Sequence, residues 1–275
     1  MSFMMQIATC SCHQEKKNEG FHEGKNLYKI KKLGKLPEKI QETSGLALAT
    51  KEGTFWTHND SGNPAHLYEI AQSGKIIRQL NLPQLTNTDW EDLGQDIKGN
   101  LYIADVGNNA NQRKDLVVYK IHPNQATDKE TIHFHYADQT AFPPPPNEQN
   151  FDCEAIVWHK EKLYLFSKNR SKTNRFVKLY TIPDVAGSYV ATPQDSVYSK
   201  AMVTGADISP NGKTLALLTY GKILLFDVSE GINFKKPTYC IKANLGQSEA
   251  IVFVNDTDFV VTNEQKGELW SIKRK

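Results

Sequence analysis

The chain has 275 residues, 39% hydrophobic and 23% charged, with a formal net charge of +2. That length suits one large domain or two ordinary ones, and so small a charge argues against a nucleic-acid partner. Residues 1–39 hold eight Lys against four Asp/Glu, which leaves 25 Lys/Arg against 27 Asp/Glu in a slightly acidic body. No apolar run reaches the length of about 18 residues that a transmembrane helix needs.

Residues 1–25 read as a leader or tether. Ile7-Ala8-Thr9-Cys10 and Thr9-Cys10-Ser11-Cys12 both resemble the small-residue-then-Cys end of a bacterial lipoprotein signal, and the polar stretch 13–25 would follow as a flexible tether. No basic segment precedes them, and the apolar part is short for a secretory signal. The expectation is a periplasmic or outer-membrane-tethered protein, or a cytoplasmic one if the leader is chance. Four Cys do not make a disulfide framework in a chain this long. Cys153 and Cys240 are expected as unpaired, mostly buried thiols, the first on an inner strand and the second on an outer one.

Residues 26–275 read as one domain of repeated strands. Residues 26–33 form a lone strand before the first repeat. Five related segments follow: Thr43-Ser44-Gly45-Leu46, Trp90-Glu91-Asp92-Leu93, Cys153-Glu154-Ala155-Ile156, Gly205-Ala206-Asp207-Ile208 and Ser248-Glu249-Ala250-Ile251. Ser44, Glu91, Glu154, Ala206 and Glu249 then recur at spacings of 47, 63, 52 and 43 residues, the range of propellers and solenoids. The longest interval contains Pro143-Pro144-Pro145-Pro146, which no central strand tolerates and which reads as an inserted loop.

Each segment opens a set of strands. Second strands fall at 54–58, 101–105, 163–167, 214–219 and 258–262, several after turn residues such as Pro210-Asn211-Gly212. Third strands fall at 66–70, 117–121, 178–182, 223–228 and 268–272, with an aromatic residue recurring at the same place. Alternation of apolar and polar residues favours strand over helix. Fourth, more polar strands fall at 75–82, 130–138, 196–200 and 237–243. The fifth set lacks one, and residues 26–33 can supply it. The predicted architecture is all-β: a five-bladed β-propeller of four-stranded blades, its ring closed by the N-terminal outer strand.

First strands of propeller blades line the channel, so the five equivalent positions form a ring reading Ser44, Glu91, Glu154, Ala206 and Glu249. Two carboxylates about 4 Å apart repel by roughly 4 kcal/mol at an effective dielectric near 20. They must take up protons or hold a cation. Oxygen ligands point to a hard cation, and a five-fold ring suits Ca²⁺ better than octahedral Mg²⁺. The predicted metal ligands are Ser44, Glu91, Glu154 and Glu249; the alternative is that these side chains face solvent at the channel mouth. A second ring lies where the second strands end. There His58, Asp60 and Asp105 are candidates to orient or deprotonate a water. Asn59, Lys168, Asn169, Arg170, Asn263 and Glu264 are candidates to bind a ligand, with Lys168 and Arg170 holding an anionic group. Ordinary turn chemistry is the competing explanation for each of these residues.

The ring resembles that of the calcium-activated nucleotidases of apyrase type, five-bladed propellers with one Ser or Glu per blade around a central Ca²⁺. The match carries Ser44, Glu91, Glu154 and Glu249 and fails at Ala206, where that family has a second hydroxyl. Ser44-Gly45-Leu46, His58-Asn59-Asp60, Asp89-Trp90-Glu91-Asp92-Leu93 and Leu101-Tyr102-Ile103-Ala104-Asp105 also resemble uncharacterised bacterial propellers of the esterase-like phytase, SdiA-regulated and SMP-30 (NHL-like) groups. That resemblance covers most of residues 40–270 and implies a propeller, often exported. Two functions are open. One is a Ca²⁺ module binding a small molecule, sugar or peptide at the channel mouth; the other is a Ca²⁺-dependent hydrolase of a phosphate or other ester. A monomer is expected.

Overall fold

The computed structural model describes residues 12, 19–24 and 26–275. Its elements are strands, apart from one 3-10 turn at Glu38–Ile40. A short β1 (His22–Glu23) and a longer β2 (Tyr28–Lys35) come first. The first meander is β3 (Thr43–Leu48), β4 (Thr54–Asn59), β5 (His66–Ala71) and β6 (Ile76–Asn81). The second is β7 (Trp90–Gln95), β8 (Leu101–Asp105), β9 (Leu116–His122) and β10 (Gln125–Tyr136). The third is β11 (Asp152–His159), β12 (Lys162–Lys168), β13 (Phe176–Pro183) and β14 (Gly187–Tyr198). The fourth is β15 (Val203–Ile208), β16 (Thr214–Thr219), β17 (Lys222–Asp227) and β18 (Pro237–Lys242). Last come β19 (Ser248–Phe253), β20 (Phe259–Asn263) and β21 (Glu268–Arg274). The proline run lies in a strandless stretch between β10 and β11.

The last set is completed by β2, antiparallel to β21 with Tyr28 opposite Arg274 and Lys35 opposite Glu268. The two ends of the domain therefore share one sheet, which leaves fewer strand edges open.

Hydrogen bonding groups the strands into four sheets rather than five separate blades: two of four strands, one of five and one of eight. The eight-stranded sheet arises because β10 and β14, each of 12 residues, pair in parallel from Ile132 and Gly187 to Tyr136 and Ala191. Two outer edges that would otherwise expose backbone donors and acceptors thus satisfy each other. The five-stranded sheet gains β1, parallel to β18.

Side-chain alternation places an apolar face between successive meanders. Trp56 and Leu67 of the first meet Leu93, Leu101 and Ile103 of the second. Tyr102 and Val118 of the second meet Leu163, Leu165 and Tyr180 of the third. Phe166 and Leu179 meet Leu217, Leu224 and Phe226. Leu218 and Ile223 meet Phe253, Phe259 and Val261. Val252 and Leu269 then return to Leu46, Phe55 and Ile70 of the first meander. Each such side chain contributes roughly 1.5–3 kcal/mol on burial. On the inside, β3, β7, β11, β15 and β19 pack side by side in that order, with β19 against β3. The arrangement is propeller-like.

Two carboxylates tie neighbouring inner strands. Asp92 of β7 accepts from its neighbour Leu93 N at 2.8 Å and from Ile156 N of β11 at 2.9 Å. Asp207 of β15 accepts from Ile208 N at 2.8 Å and from Phe253 N of β19 at 2.7 Å.

The cysteine expectation needs correction. Cys240 is not a free thiol: it forms a disulfide with Cys12, 228 residues away. The pairing becomes possible because the stretch expected as a tether docks where it is described. Phe21 is buried edge-on against Phe226, and β1 extends the sheet at Tyr239 and Cys240. Cys153 is free and buried, as expected. Cys10 lies outside the described residues.

Candidate metal centre

In every meander the ladder between first and second strands breaks near its start, and one residue of the first strand is skipped. The skipped residues are Ser44, Glu91, Glu154, Thr204 and Glu249. A bulge of this kind re-aims the extra side chain. The fourth member of the ring is therefore Thr204, not Ala206, because the irregularity in β15 lies between Val203 and Gly205. The hydroxyl missing from the predicted ring is present, and it donates to Ser248 O at 2.7 Å.

The same register decides what surrounds the ring. Antiparallel pairing sets the end of each second strand beside the start of the first, with Thr43 opposite Asn59, Trp90 opposite Asp105 and Asp152 opposite Lys168. The two predicted rings therefore share one end of the channel. Two carboxylates that the ring prediction missed join them, Asp89 and Asp152. Their signal was in the sequence: each stands two residues before a ring glutamate, as Asp89-Trp90-Glu91 and Asp152-Cys153-Glu154. The structure brings these aspartates beside the ring glutamates.

Carboxylate oxygens of Glu91, Asp152 and Glu154 lie within 4.8 Å of one another, as do those of Asp60, Asp89 and Glu91. The first trio is already neutralised in part. Lys168 Nζ donates to Glu154 Oε2 at 2.8 Å. Arg170 reaches Asp152 Oδ2 at 2.6 Å and Glu154 Oε1 at 3.0 Å, and also bonds Asn109. Glu249 stands apart from both trios: its Oε1 accepts from Tyr220 OH at 2.8 Å, and the Tyr220 hydroxyl lies 3.5 Å from Lys168 Nζ. Lys168 and Tyr220 thus bridge the Glu154 and Glu249 sides of the ring.

Glu91 has none of these partners. It is 5% exposed, accepts no hydrogen bond and joins no ion pair among the described residues. Burial, then the charges of Glu154, Asp60 and Asp152, push its carboxyl well above the usual range. Burial likewise raises Asp60 to about 6, with Asp89 and Glu42 adding to it. Burial and Asp152 raise Asp89. For Asp152, burial and Glu154 outweigh Arg170, so it too is raised. Burial lifts Glu249 to about 7 although Lys168 and Tyr220 oppose it, and lifts Glu264 to about 7 with help from Asp60 and Glu42. Burial alone would lower Lys168; Glu154, Glu249 and Tyr220 instead hold it well above its ordinary value. Ser44 is buried and its hydroxyl makes no hydrogen bond among the described residues.

The remaining predicted site residues are committed elsewhere or stand at the rim. His58 is fully buried, edge-on to Trp90, with Nδ1 at Asn59 O and Nε2 against Gly45, where a Cβ would sit 2.6 Å from it. Burial lowers its pKa to about 4, so it stays neutral. Asp105 is also buried: it accepts from Thr88 N and Asp89 N at 3.2 and 3.0 Å and pairs with Arg113 at 3.0 Å. It fixes the loop that carries Asp89. Asn59 donates to Lys39 O, Asn169 to Phe176 O and Asn263 to Leu245 O. Asn169 and Asn263 also accept from Ser171 N and Glu268 N, so both shape turns. Glu264 is half-buried and accepts from Gln247. Of the three catalytic candidates, Asp60 alone stands in the acid cluster.

A cavity of about 1100 Å³ opens at the other end of the inner strands, lined by Leu48, Ile97, Trp158, Asp207, Ile208 and Phe253 among others. None of the predicted site residues lines it.

No protein-family profile matches the chain, and no curated protein matches it. Similar solved structures exist. The PQQ-bound aldose sugar dehydrogenase from Streptomyces coelicolor aligns over 90% of this chain and 98% of its own, with a TM-score of 0.55 and 8% identity. The WD40 repeats of RRP9 align over 90% and 97%, with a TM-score of 0.47 and 8% identity. The first likeness shows the fold, an all-β propeller, and nothing of activity. No helix among the described residues is long and apolar enough to cross a membrane.

Proposed function

We propose that the chain is a five-bladed propeller that binds Ca²⁺ at the bulged end of its channel and uses that face to bind an oxygen-rich small molecule, sugar or peptide. The cyclic packing of five first strands and the five apolar cores between meanders support the blade count, with the second and third blades fused through their outer strands. The metal reading rests on Glu91, which is 5% exposed, makes no hydrogen bond or ion pair among the described residues and stands amid other carboxylates. Like charges crowded in a shielded place are costly, and a divalent cation removes that cost. Asp60, Asp89 and Glu91 offer only oxygen, which suits Ca²⁺, and neither carboxylate trio includes a Cys or His to favour Zn²⁺.

The commitments around the site support binding rather than hydrolysis. Lys168 and Arg170 are occupied by Glu154 and Asp152, so neither is free to hold a substrate anion. His58 and Asp105 are buried and engaged. One observation favours the second reading, a Ca²⁺-dependent phosphate-ester hydrolase: Thr204 supplies the hydroxyl that the resemblance to calcium-activated nucleotidases calls for. The Cys12–Cys240 disulfide supports an oxidising compartment, hence export.

The test is thermal melting with Ca²⁺ or with chelator. Ca²⁺ raises the melting temperature of the wild-type protein, and Glu91→Gln removes the rise. Equal melting with and without Ca²⁺ contradicts the reading. Chelator-sensitive turnover of nucleoside diphosphates or aryl phosphates would favour the hydrolase.

A further inference from the structure

We propose that the divalent cation sits off the channel axis, on Asp60, Asp89 and Glu91 against Gly107, while the ammonium of Lys168 fills the axial position between Glu154 and Glu249. This rests on the Ca²⁺ reading above and says where the ion goes and what keeps it from the ring centre.

Three observations carry it. The first is how the protein's own cations are distributed. Lys168 and Arg170 lie on the Asp152–Glu154 side, Lys168 on Glu154 at 2.8 Å and Arg170 on Asp152 and Glu154 at 2.6 and 3.0 Å, while Arg113 is committed to Asp105 at 3.0 Å and to Gly107 O at 2.9 Å. The oxygens of Asp60, Asp89 and Glu91 converge within 4.8 Å with no ion pair to any of them among the described residues.

The second is Glu91 itself, which is 5% exposed, makes no hydrogen bond and has its oxygen in that trio. A buried carboxylate in this state is completed by a ligand or a proton.

The third is Gly107, in the loop that follows β8. A Cβ there would lie 2.2 Å from Glu91 Oε1 and 2.4 Å from both Cγ and Oδ2 of Asp89. Gly107 is not among the glycines with positive φ, so its backbone conformation does not demand glycine. Space does: a methyl group there would push the Glu91 and Asp89 carboxylates out of their present positions.

The axial position is differently furnished. Lys168 Nζ lies over the Tyr220 ring, 5.4 Å from its centroid, and Tyr220 OH donates to Glu249 Oε1 at 2.8 Å. An ammonium held by one glutamate and linked through a phenol to the next does electrostatically what a metal would do there. A cation at the ring centre would have to displace it.

The experiment is calorimetric titration of the full chain with Ca²⁺, repeated with Tb³⁺. Asp60→Asn and Asp89→Asn each weaken binding by about 10- to 100-fold, as loss of a ligand or its immediate support does. Glu249→Gln changes it by less than about threefold, since that carboxylate stays with Tyr220. Lys168→Met frees Glu154 and the axial position, and a second binding step appears. Gly107→Ala, which removes no carboxylate but displaces those of Glu91 and Asp89, weakens binding as the aspartate variants do; near-ultraviolet circular dichroism confirms that each variant is folded. The inference alone is overturned if Glu249→Gln abolishes binding while Asp60→Asn and Asp89→Asn bind like wild type, because the ion is then axial. Wild-type protein that binds neither ion overturns the functional reading, and this seat with it.

Discussion

Replacing Glu91 by Gln should stabilise the protein in chelator and destroy its response to Ca²⁺. A structural glutamate does the opposite. The magnitude follows from the geometry. Two ionised carboxylates 4.8 Å apart repel by about 3.5 kcal/mol at an effective dielectric near 20. Glu154, Asp60 and Asp152 are the charges that act on Glu91, and of these Asp60 has no ion pair among the described residues. Burial and the neighbouring carboxylates hold the Glu91 carboxyl well above its ordinary range, so ionising it in the folded protein is costly. Gln keeps the shape without the charge, so Glu91→Gln should gain stability in chelator, by up to about the 3.5 kcal/mol of one such repulsion. Urea denaturation followed by tryptophan fluorescence measures it, since Trp90 is the adjacent residue and fully buried. In saturating Ca²⁺ the order reverses, because wild type gains binding energy that the variant cannot. A variant less stable than wild type in chelator would show that the carboxylate has a structural partner and would refute the reasoning.

Three further outcomes are expected. In chelator, stability should fall as pH rises from about 4 to 7, because Asp60 near 6 and Asp207, Glu249 and Glu264 near 7 are raised above their unfolded values. The folded state then binds more protons across that window, so stability present below it is lost above it, by up to about 1.4 kcal/mol per pH unit for each group. Ca²⁺ should flatten the curve, and a rise with pH in chelator would contradict these shifts. Reducing the Cys12–Cys240 bond, or making Cys240→Ser, should cost up to about 5 kcal/mol, since the closed loop spans 228 residues; an unchanged denaturation midpoint would show that the bond does not constrain the chain. Asp207→Ala strips acceptors from Phe253 N and Ile208 N and should cost about 1–3 kcal/mol for each donor left buried, read from the same denaturation curves.

Much of this architecture is written in the chain as strand alternation. Tyr28–Lys35 could be placed beside Glu268–Arg274 because the last set lacked an outer strand and the first strand lacked a set. The ring was legible in four of five places. It slipped by two in β15, where Ala206-Asp207-Ile208 imitates Glu91-Asp92-Leu93. The imitation has a cause, since Asp207 and Asp92 both tie their strand to the next. A slip of two residues keeps every side chain on its own face, so alternation cannot detect it; only the bulge at Thr204 does. The fusion of β10 with β14 was hidden for a related reason, as pairing between outer edges leaves little mark on side-chain pattern. The disulfide joins residues 228 apart and has no local signal at all. Charge pairing was the largest loss. Lys168 reads as a substrate anchor until register sets it opposite Asp152 and beside Glu154.

The most direct test is an anomalous difference map from crystals of the full chain grown with Ca²⁺. A peak is expected about 2.3–2.6 Å from a Glu91 carboxylate oxygen, with Asp60 and Asp89 in the same shell and Lys168 still on Glu154. A map with no peak there, and with Glu91 hydrogen-bonded to protein instead, would contradict the metal reading.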